Sequence, residues 1–498
     1  MDVKELFRCC RTGDIEKLRY LIDVKDVEVN ARDNWDSTPL YYACLCGHED
    51  MVELLLKNGS RCEANTFDGE RCLYGALTDN IRRILQRYNA INSNCMRRES
   101  YDEFLRRAFE QGTFGDIFFV VGGETIPAHR VILAARSTYF AEMLQTKWQE
   151  KMVFFPTMAE FNPQQFRNML KYLYTGKLDV PFEECESYFN LARQFHFWQL
   201  MQLIKSRLEK AKTFHASKRG FVRVTMISID PAMEEKSLKD DFTKLTEVAL
   251  PEPFRSQQLP EVSMCISQLL GDVDYEFQNL QNFLSFSDVC FDVQNYEFYC
   301  NKVFFCHRSD YFKALFEFSE TAASNQDLQE DDCRITINDV TPDVFSIVVT
   351  YLYIDEAEIP CNFDDIYNVI CAAEMYLLKG LKRLCAKAMI KILDVSNVVE
   401  VVRISRTFSV PRLESECCRF IAEYVDEMKD DPGLIELIVE DAQSIKERQE
   451  TDSIPLVDDI RSHLYNSLLP NNFWTQNSSS ECRLEILENL LKSIGLDC

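Results

Sequence analysis

One stretch of this chain occurs twice, and the duplication limits the possible folds more than any other feature. Asp116 to Phe140 reads DIFFVVGGETIPAHRVILAARSTYF, and Asp288 to Phe312 reads DVCFDVQNYEFYCNKVFFCHRSDYF. The two stretches align without a gap. The aligned pairs include Asp116 with Asp288, Phe119 with Phe291, Arg130 with Lys302, Ser137 with Ser309, and Tyr139 with Tyr311. A segment repeated in this way indicates a structural module, so both stretches are expected to fold alike.

The residue pattern of the first copy predicts a small α+β domain. Ile117 to Val121 is an apolar run of β-branched and aromatic residues, which is typical of a buried strand. A glycine pair follows and predicts a tight turn into a second strand from Glu124 to Pro127. Ser137 is positioned to cap a helix that has one apolar face. A strand at residues 152–155 and helices between 163 and 208 complete the predicted order.

The first copy resembles the BTB/POZ domain. The matching residues are Asp116, Ala128-His129-Arg130, Ala135 to Phe140, Tyr172-Leu-Tyr174-Thr-Gly176 and Leu191-Ala192. The second copy has Asn301 where the family has His, Ile354-Asp355 where it has Thr-Gly, and a longer polar insert from Glu320 to Asp332. We still interpret it as the same fold. The predicted domains are residues 101–212, called copy one, and residues 276–392, called copy two.

Residues 1–90 show a second repeat, with a period of about 33 residues. Trp35 to Leu40 reads WDSTPL and is followed by Ala43, Gly47-His48, Val52, Leu55-Leu56 and Gly59. Pro39 is suited to the first turn of a helix, and Gly47 to the turn between two helices. This pattern resembles the ankyrin repeat. Two to three repeats are close to the minimum for a stable stack, so the block is expected to lean on its neighbour.

Two further segments complete the predicted organisation. Residues 213–275 are interrupted by prolines and short charged runs, and they predict a linker that is loosely structured apart from a strand within 222–229. Residues 393–498 predict paired amphipathic helices and a tail, with an acidic, solvated stretch from Asp426 to Asp459. The helical pairs resemble the BACK region that follows many BTB domains. The fold class is therefore multidomain: α-helical ankyrin repeats, two α+β BTB/POZ domains and a helical C-terminal extension.

Charge and composition restrict the classes of partner. The chain has 498 residues, a formal net charge of −25 and 20 cysteines. So much negative charge repels phosphate backbones and anionic lipids, which disfavours nucleic acid and membrane surfaces as partners. No apolar run reaches the roughly 18 residues of a membrane-spanning helix. The charged N-terminus is unlike a signal peptide, so we expect a cytoplasmic protein with reduced cysteines, without excluding the nucleus.

Four charged residues recur at matching positions of the two copies. Asp116 and Arg130 in copy one have the same separation as Asp288 and Lys302 in copy two. The resemblance implies that these positions form a charged pocket near the seam where BTB domains pair. They could determine pairing specificity, or they could be ordinary ion pairs that stabilise the fold, because buried pairs often add little net stability. The sequence leaves both interpretations open. It also does not decide whether the two BTB domains pair within one chain or between chains.

A second candidate site follows the helix that begins near Ser137. BTB domains that bind cullin-3 carry a hydrophobic residue, any residue and Glu in this loop, and Trp148-Gln149-Glu150 fits that signature. The resemblance implies a cullin-binding site at Met143, Trp148 and Glu150, in which an exposed Trp148 is a plausible binding hot spot. Alternatively, Trp148 packs into the core of its own domain. Copy two has its nearest match at Phe318-Ser319-Glu320, two residues early, so copy one is the predicted docking copy.

The sequence contains no recognisable catalytic or metal-binding motif. None of the 6 histidines lies near a Ser or Cys in a nucleophile motif, and the glycine pair lacks the Gly-Lys-Ser/Thr of a phosphate loop. Cys44, Cys46 and His48 lie close together, but no fourth ligand is spaced to close a tetrahedral site. We therefore expect no enzymatic activity, no metal and no cofactor.

These features predict a protein-interaction adaptor. The resemblance implies the substrate-recognition subunit of a cullin-3 RING ubiquitin ligase, in which a BTB surface docks the cullin and another surface holds the substrate. The alternative is a non-catalytic scaffold or signalling adaptor that is assembled through BTB pairing without a ligase. A transcriptional regulator is disfavoured because zinc fingers and a basic arm are missing. The sequence does not identify the substrate or the surface that binds it.

Overall fold

The structure is a computed structural model, and it describes residues 2–23, 27, 29–35, 37–58, 60, 62, 67–87, 101–150, 152–154, 162–217, 225–229, 238–255, 285–323, 334–444, 454–468 and 477–496. These residues divide into two compact units, Met1–Asp355 and Glu356–Cys498. The predicted polar insert at 320–332 lies mostly outside the described residues. In the described part of the chain, no helix is both long and apolar enough to cross a membrane.

The N-terminal block consists of three helical pairs, as the repeat predicts. The helices are α1 (Asp2–Thr12), α2 (Ile15–Asp23), α3 (Pro39–Cys46), α4 (Glu49–Lys57), α5 (Phe67–Gly75) and α6 (Asp79–Arg87). Thr38 caps α3 by accepting a hydrogen bond from the Tyr41 N–H at 3.3 Å, and Pro39 occupies the first turn. Gly47 ends α3 at a φ of 81°, in the left-handed region that glycine adopts readily.

Copy one begins with α7 (Tyr101–Gln111), which we call the lead helix, and continues with the hairpin β1 (Ile117–Val121) and β2 (Glu124–Ala128). The following elements are α8 (Arg130–Arg136), α9 (Thr138–Thr146), β3 (Met152–Phe154), α10 (Pro163–Thr175), β4 (Leu178–Pro181), α11 (Cys185–Gln194) and α12 (Trp198–Ser217). Ser137 caps α9 by accepting a hydrogen bond from the Phe140 N–H, as predicted. The hairpin and the capped helix therefore form where the sequence places them.

Copy two repeats this hairpin, the two helices and the third strand. Its elements in the first unit are β6 (Val289–Val293), β7 (Tyr296–Cys300), α14 (Lys302–Cys306), α15 (Asp310–Ala323), β8 (Arg334–Ile337) and α16 (Pro342–Ile354). The strand orders are β2-β1-β3 and β7-β6-β8. In each sheet the central strand pairs antiparallel with its hairpin partner and parallel with the third strand. Phe119 and Phe291 are both fully buried on the central strands. The duplicated sequence thus produces a duplicated sheet.

The segment between the copies is more ordered than predicted. Strand β5 (Met226–Ile229) lies within the expected range and pairs antiparallel with β4, but it is followed by α13 (Leu238–Ala249), which we call the linker helix. The linker helix buries Leu238, Phe242 and Leu245. The prediction of a loosely structured segment is therefore wrong for residues 238–249, because an apolar stripe at helical spacing outweighs the interrupting prolines and charges.

The second unit is helical. It contains α17 (Phe363–Met375), α18 (Lys379–Lys391), α19 (Val398–Thr407), α20 (Pro411–Glu423), α21 (Val425–Met428), α22 (Pro432–Ser444), α23 (Pro455–Leu468) and α24 (Asn477–Ser493). The predicted solvated acidic stretch is partly wrong, since α22 buries Leu434, Leu437 and Ile438. Asp441 in the same helix accepts hydrogen bonds from both terminal nitrogens of Arg406 at 2.5 and 2.9 Å. The acidic residues of α22 therefore alternate with a core-facing stripe.

Candidate interaction surfaces

The two aspartates of the predicted charged pocket, Asp116 and Asp288, lie upstream of the helices α8 and α14 and accept a hydrogen bond from the first residue of each. In copy one, the Arg130 N–H donates to Asp116 Oδ1 at 2.7 Å, and in copy two the Lys302 N–H donates to Asp288 Oδ1 at 2.6 Å. The N-cap residues themselves, His129 and Asn301, make no side-chain cap. Each aspartate thus satisfies an N–H at the start of α8 or α14, which explains the shared spacing by helix capping.

The two basic side chains of this pocket have different surroundings. The Arg130 guanidinium donates to the carbonyls of Gln149 and Glu150 at 2.9 and 2.7 Å, so it holds the loop that follows α9. The Lys302 ammonium lies over the rings of Phe114 and Phe316, 5.5 and 5.7 Å from their centroids. Because Phe114 belongs to copy one, Lys302 is placed where the two copies meet. The role of these four residues in pairing stays a prediction.

The lead helix of copy one contacts both copies. Phe109 packs on Tyr174 of α10 with 5.1 Å between ring centroids, and Glu110 pairs with Lys171 at 2.9 Å. At its other end, Phe104 packs on Phe304 of copy two at 6.2 Å. The Tyr101 hydroxyl donates to the carbonyl of Tyr353, also in copy two. We call this junction the seam; it is formed by Tyr101, Phe104, Phe114, Phe304 and Phe316.

The linker helix also contacts both copies, but its main contact is with copy two, whereas the lead helix packs mainly on copy one. It packs along α16 of copy two and against α8 of copy one. Phe242 packs on Phe304 at 5.3 Å, and Asp241 forms an ion pair with Arg136 of α8. The side chain of Arg136 is only 5% exposed and that of Asp241 only 12% exposed. Burial of a paired charge makes each partner costly to remove, so the pair holds the linker helix in place.

Arg136 and Arg308 occupy aligned positions and make corresponding contacts across the seam. The Arg136 Nε donates to the carbonyl of Leu173 at 3.0 Å, and Arg308 donates to the carbonyl of Leu352, the aligned residue, at 3.1 Å. Beyond its own copy, Arg136 reaches the linker helix, whereas the Arg308 guanidinium lies 5.4 Å from the Tyr101 ring centroid on the lead helix. The two arginines therefore bind equivalent carbonyls within their own copies but meet different partners across the seam.

Trp148 does not have the exposure expected of a binding hot spot. Its residue is 8% exposed, and its ring packs edge-to-face on Phe119 at 5.6 Å and against Phe140 at 5.4 Å. The expectation of an exposed Trp148 is wrong because the loop after α9 turns back onto the aromatic core. Met143 is half-buried and Glu150 is exposed. The assignment of Met143, Trp148 and Glu150 to cullin binding stays a prediction, and it now depends on the first and last of them.

Three aromatic rings in contact with one another lead from the core of copy one to its surface. Tyr139, on α9, is half-buried, and its ring centroid lies 5.1 Å from that of His196. The His196 ring in turn stacks on Trp198 at 5.9 Å, with 20° between the planes, and Trp198 is 57% exposed. His196 has a φ of 58°, which is uncommon for a residue other than glycine. We call Tyr139, His196 and Trp198 the aromatic stack.

Glu142 lies close enough to Tyr139 of the aromatic stack to affect the pKa of the Tyr139 hydroxyl. Burial raises the pKa of this hydroxyl, and the nearby negative charge of Glu142 raises that pKa further. Tyr139 and Met143 are four residues apart on α9, so they share one face of the helix. An exposed indole, its aromatic support and the carboxylate of Glu142 therefore lie on one side of copy one, a combination that suits recognition of another protein.

Comparison with known proteins places the chain in a family. A BTB/POZ domain model matches residues 105–212 and 277–393, and a model of three ankyrin repeats matches residues 5–92. The chain is 30% identical over 488 residues to Ankyrin repeat-containing protein YIL001W of Saccharomyces cerevisiae, covering 93% of this chain and 88% of that protein. The chain belongs to the family of ankyrin-repeat and BTB/POZ-domain proteins. Such domains are interaction modules, and BTB domains mediate protein association and dimerisation.

Two other relatives match most of the chain. BTB/POZ domain-containing protein 3 of Schizosaccharomyces pombe is 29% identical over 471 residues, covering 92% of this chain and 81% of that protein. The human protein named Inhibitor of Bruton tyrosine kinase is 23% identical over 400 residues. That match covers 72% of this chain but 29% of the human protein. Similarity along nearly the whole length is therefore found with the two yeast proteins.

The BTB histidine and its replacement in copy two perform the same structural task. In copy one, the His129 N–H donates to the Tyr174 hydroxyl at 2.7 Å, and the His129 ring nitrogens lie 2.8 Å from that hydroxyl and 2.9 Å from the Thr113 carbonyl. In copy two, the Asn301 N–H donates to the Tyr353 hydroxyl at 2.9 Å, and that hydroxyl donates to Asn301 Oδ1 at 3.0 Å. Asn301 therefore preserves the bonding pattern without a titratable group.

Burial lowers the pKa of two histidines near the seam, His129 and His307. It lowers the pKa of His129 to about 4, opposed by the hydrogen bond to Thr113. Burial first, and then the neighbouring His129 and Arg107, together lower the pKa of His307 to about 4. Arg107 belongs to the lead helix and His307 follows α14, so these charges act across the seam. Both histidines are neutral at pH 7.

Sequence reasoning missed the aromatic stack and the linker helix. The stack has a local signal, because His196-Phe197-Trp198 lies where α11 has ended and α12 begins, and no apolar stripe requires all three rings. The linker helix also has one, because Leu238, Phe242 and Leu245 recur at helical spacing. Neither signal indicates on its own which partner the residues contact. The pairing of Asp241 with Arg136 joins residues far apart in the chain and required the fold.

Proposed function

We propose that this protein is a substrate-recognition subunit of a cullin-3 RING ubiquitin ligase. The proposal includes two BTB/POZ domains, at residues 101–212 and 276–392, a linker at 213–275, ankyrin repeats at 1–90 and a BACK-like extension at 393–498. Its support is that the family consists of interaction modules and that copy one carries an exposed Trp on a rigid aromatic support. The ligase chemistry resides in other subunits, and the adaptor contributes proximity between substrate and ubiquitin.

The docking face that we propose is on copy one and combines Met143 and Glu150 with the aromatic stack. Trp198 is its anchor because an exposed indole loses much water-accessible apolar area when a partner covers it. The single observation that carries the assignment is the stacking of Trp198 on His196, whose ring packs in turn against Tyr139, because this support holds the indole in place before binding. A side chain ordered in advance loses less entropy when it binds.

Binding of the N-terminal region of cullin-3 to the full-length chain tests this face. We expect Trp198→Ala to weaken binding by at least about tenfold, which corresponds to about 1.4 kcal/mol and is modest for a hot-spot Trp. Trp35→Ala is the matched control, because Trp35 is a 72% exposed Trp in the ankyrin block. Glu150→Ala tests the predicted motif without disturbing the core. Equal binding by wild type and Trp198→Ala would remove the aromatic stack from the docking face.

The same assay separates the two copies and the two function classes. Phe318 of copy two is 77% exposed, so Phe318→Ala measures a contribution from the nearest match in that copy. A loss with Phe318→Ala and none with Trp198→Ala would transfer docking to copy two. If the full-length chain does not bind cullin-3, and complexes purified from cells contain no cullin, the protein is a scaffold or signalling adaptor that works without a ligase.

A further inference from the structure

The linker helix occupies the position on copy two that the lead helix occupies on copy one. The lead helix packs along α10, and the linker helix packs along α16, which is the corresponding helix of the second copy. Each also crosses the seam: the lead helix places Phe104 on Phe304, and the linker helix places Asp241 beside Arg136. A chain segment that sequence order assigns to the connection therefore serves as the first helix of copy two.

We infer that the linker helix completes a pairing of the two BTB copies inside one chain, and that this pairing closes their seam against a second chain. The protein is then a monomer in which two non-identical halves replace the two identical subunits of a BTB dimer. The partner that fits the pairing surface of each copy is the other copy of the same polypeptide.

The composition of the seam supports a permanent rather than a transient contact. Phe304 is fully buried and is contacted by Phe104 from the lead helix and by Phe242 from the linker helix, at 6.2 and 5.3 Å. Phe104 and Phe242 are themselves at most 2% exposed. Aromatic rings buried this completely lose their protection from water if the copies separate, which makes separation costly.

The seam is also specific for two different halves. Lys302 lies between Phe114 and Phe316, whereas its aligned residue Arg130 is bonded to the carbonyls of its own loop. On the other side, Arg136 meets the carboxylate of Asp241, whereas Arg308 lies over the ring of Tyr101. Pairing of two identical copies would bring like residues together and lose these unequal contacts. These contacts therefore favour pairing of copy one with copy two over pairing of like copies. Because one polypeptide connects the two copies, the second half of the same chain is present at a higher effective concentration than a half from another molecule.

A photo-cross-link across the seam tests the inference in the intact protein. The photoreactive amino acid p-benzoyl-phenylalanine is placed at position 114, because the ring of Phe114 lies 6.3 Å from that of Phe316. Unlabelled and ¹⁵N-labelled proteins are mixed, irradiated and digested, and the cross-linked peptides are identified by mass spectrometry. We expect cross-links to the region around Phe316 in which both peptides carry the same isotope. The same probe at position 35 is the control and should not reach that region.

The mass of the protein in solution is measured on the same samples by light scattering. We expect the monomer mass of 58.1 kDa at all concentrations, and this measurement covers dimers that exchange too slowly to mix isotopes. Peptides that combine the two isotopes, or a dimer mass, would overturn the inference. Absence of any cross-link between positions 114 and 316 would also overturn it, because the seam would then not exist in solution.

Discussion

At the scale of single residues, His129 offers a clear test because copy two already contains its natural substitute. Folding keeps His129 neutral, with its pKa lowered to about 4, whereas an unfolded His has a pKa of about 6.5. The unfolded state therefore binds more protons between these values. The stability that this group contributes is complete above pH 6.5 and is lost as the pH falls toward 4.

We expect His129→Asn to remove this part of the pH dependence while keeping the fold. Between pH 7.5 and pH 5, the wild type should lose about 2 kcal/mol of unfolding free energy more than the variant. Urea unfolding at both pH values measures the difference. Asn is expected to bond Tyr174 as Asn301 bonds Tyr353, whereas His129→Ala leaves that hydroxyl without its ring partner. An identical pH dependence in wild type and His129→Asn would contradict the assignment.

Trp148 is the residue for which the sequence and the structure differ most. Its packing on Phe119 and Phe140 predicts that Trp148→Ala costs about 3–5 kcal/mol of unfolding free energy, as large-to-small changes of buried aromatic residues do. Denaturant unfolding checks this value. The exposed Trp198 is the comparison, and Trp198→Ala should cost less than about 1 kcal/mol. If Trp148→Ala costs as little as that, its side chain is at the surface and the original interpretation returns.

The residues that the sequence predicts well are those whose role is local. The Ser137 cap, the Pro39 helix start and the buried Phe119 strand follow from patterns within a few positions of each residue. The shared spacing of Asp116 and Arg130 is also visible in the sequence. Its physical cause, a carboxylate capping a helix from the neighbouring strand, depends on how the two elements pack and is invisible in the pattern.

At the scale of elements, one buried ion pair joins the linker helix to copy one. Asp241→Asn leaves the guanidinium of Arg136 buried without its counter-charge, and we expect a loss of about 3–5 kcal/mol of unfolding free energy. Asp240→Asn is the matched control, because it removes the same charge from an exposed neighbour on the same helix. Denaturant unfolding of both variants measures the difference. Equal losses in the two variants would contradict the importance of the pair.

Replacement of both partners separates the charge from the packing. Arg136→Met combined with Asp241→Leu removes both charges and keeps apolar volume, so the double variant should recover most of the loss. The sequence pattern predicts a loosely structured connection at this helix, because prolines and short charged runs interrupt the segment. The stripe of Leu238, Phe242 and Leu245 is buried because the helix packs against both copies.

At the scale of the whole molecule, the two copies share a fold but differ in their outer faces. The turn that contains His196 in copy one recurs in copy two at Leu377, and the two residues have φ values of 58° and 57°. Trp198 follows the first turn, and Lys379 follows the second. Both copies therefore have the backbone turn that supports the proposed docking face, whereas the indole that we propose as its anchor is present in copy one and replaced by Lys379 in copy two.

This difference predicts the stoichiometry of the ligase complex. A symmetric BTB dimer presents two identical docking faces, whereas a chain that pairs with itself presents one aromatic stack. If the proposed cullin-3 docking is correct, we expect one cullin N-terminal region per chain, even with the cullin in large excess. Sedimentation of the complex measures this ratio. Lys379→Trp supplies the missing ring to copy two, and a second, weaker site in that variant would support the role of the indole. Two cullins on the wild-type chain would show that copy two docks through a different surface, for which the exposed Phe318 is the first residue to test.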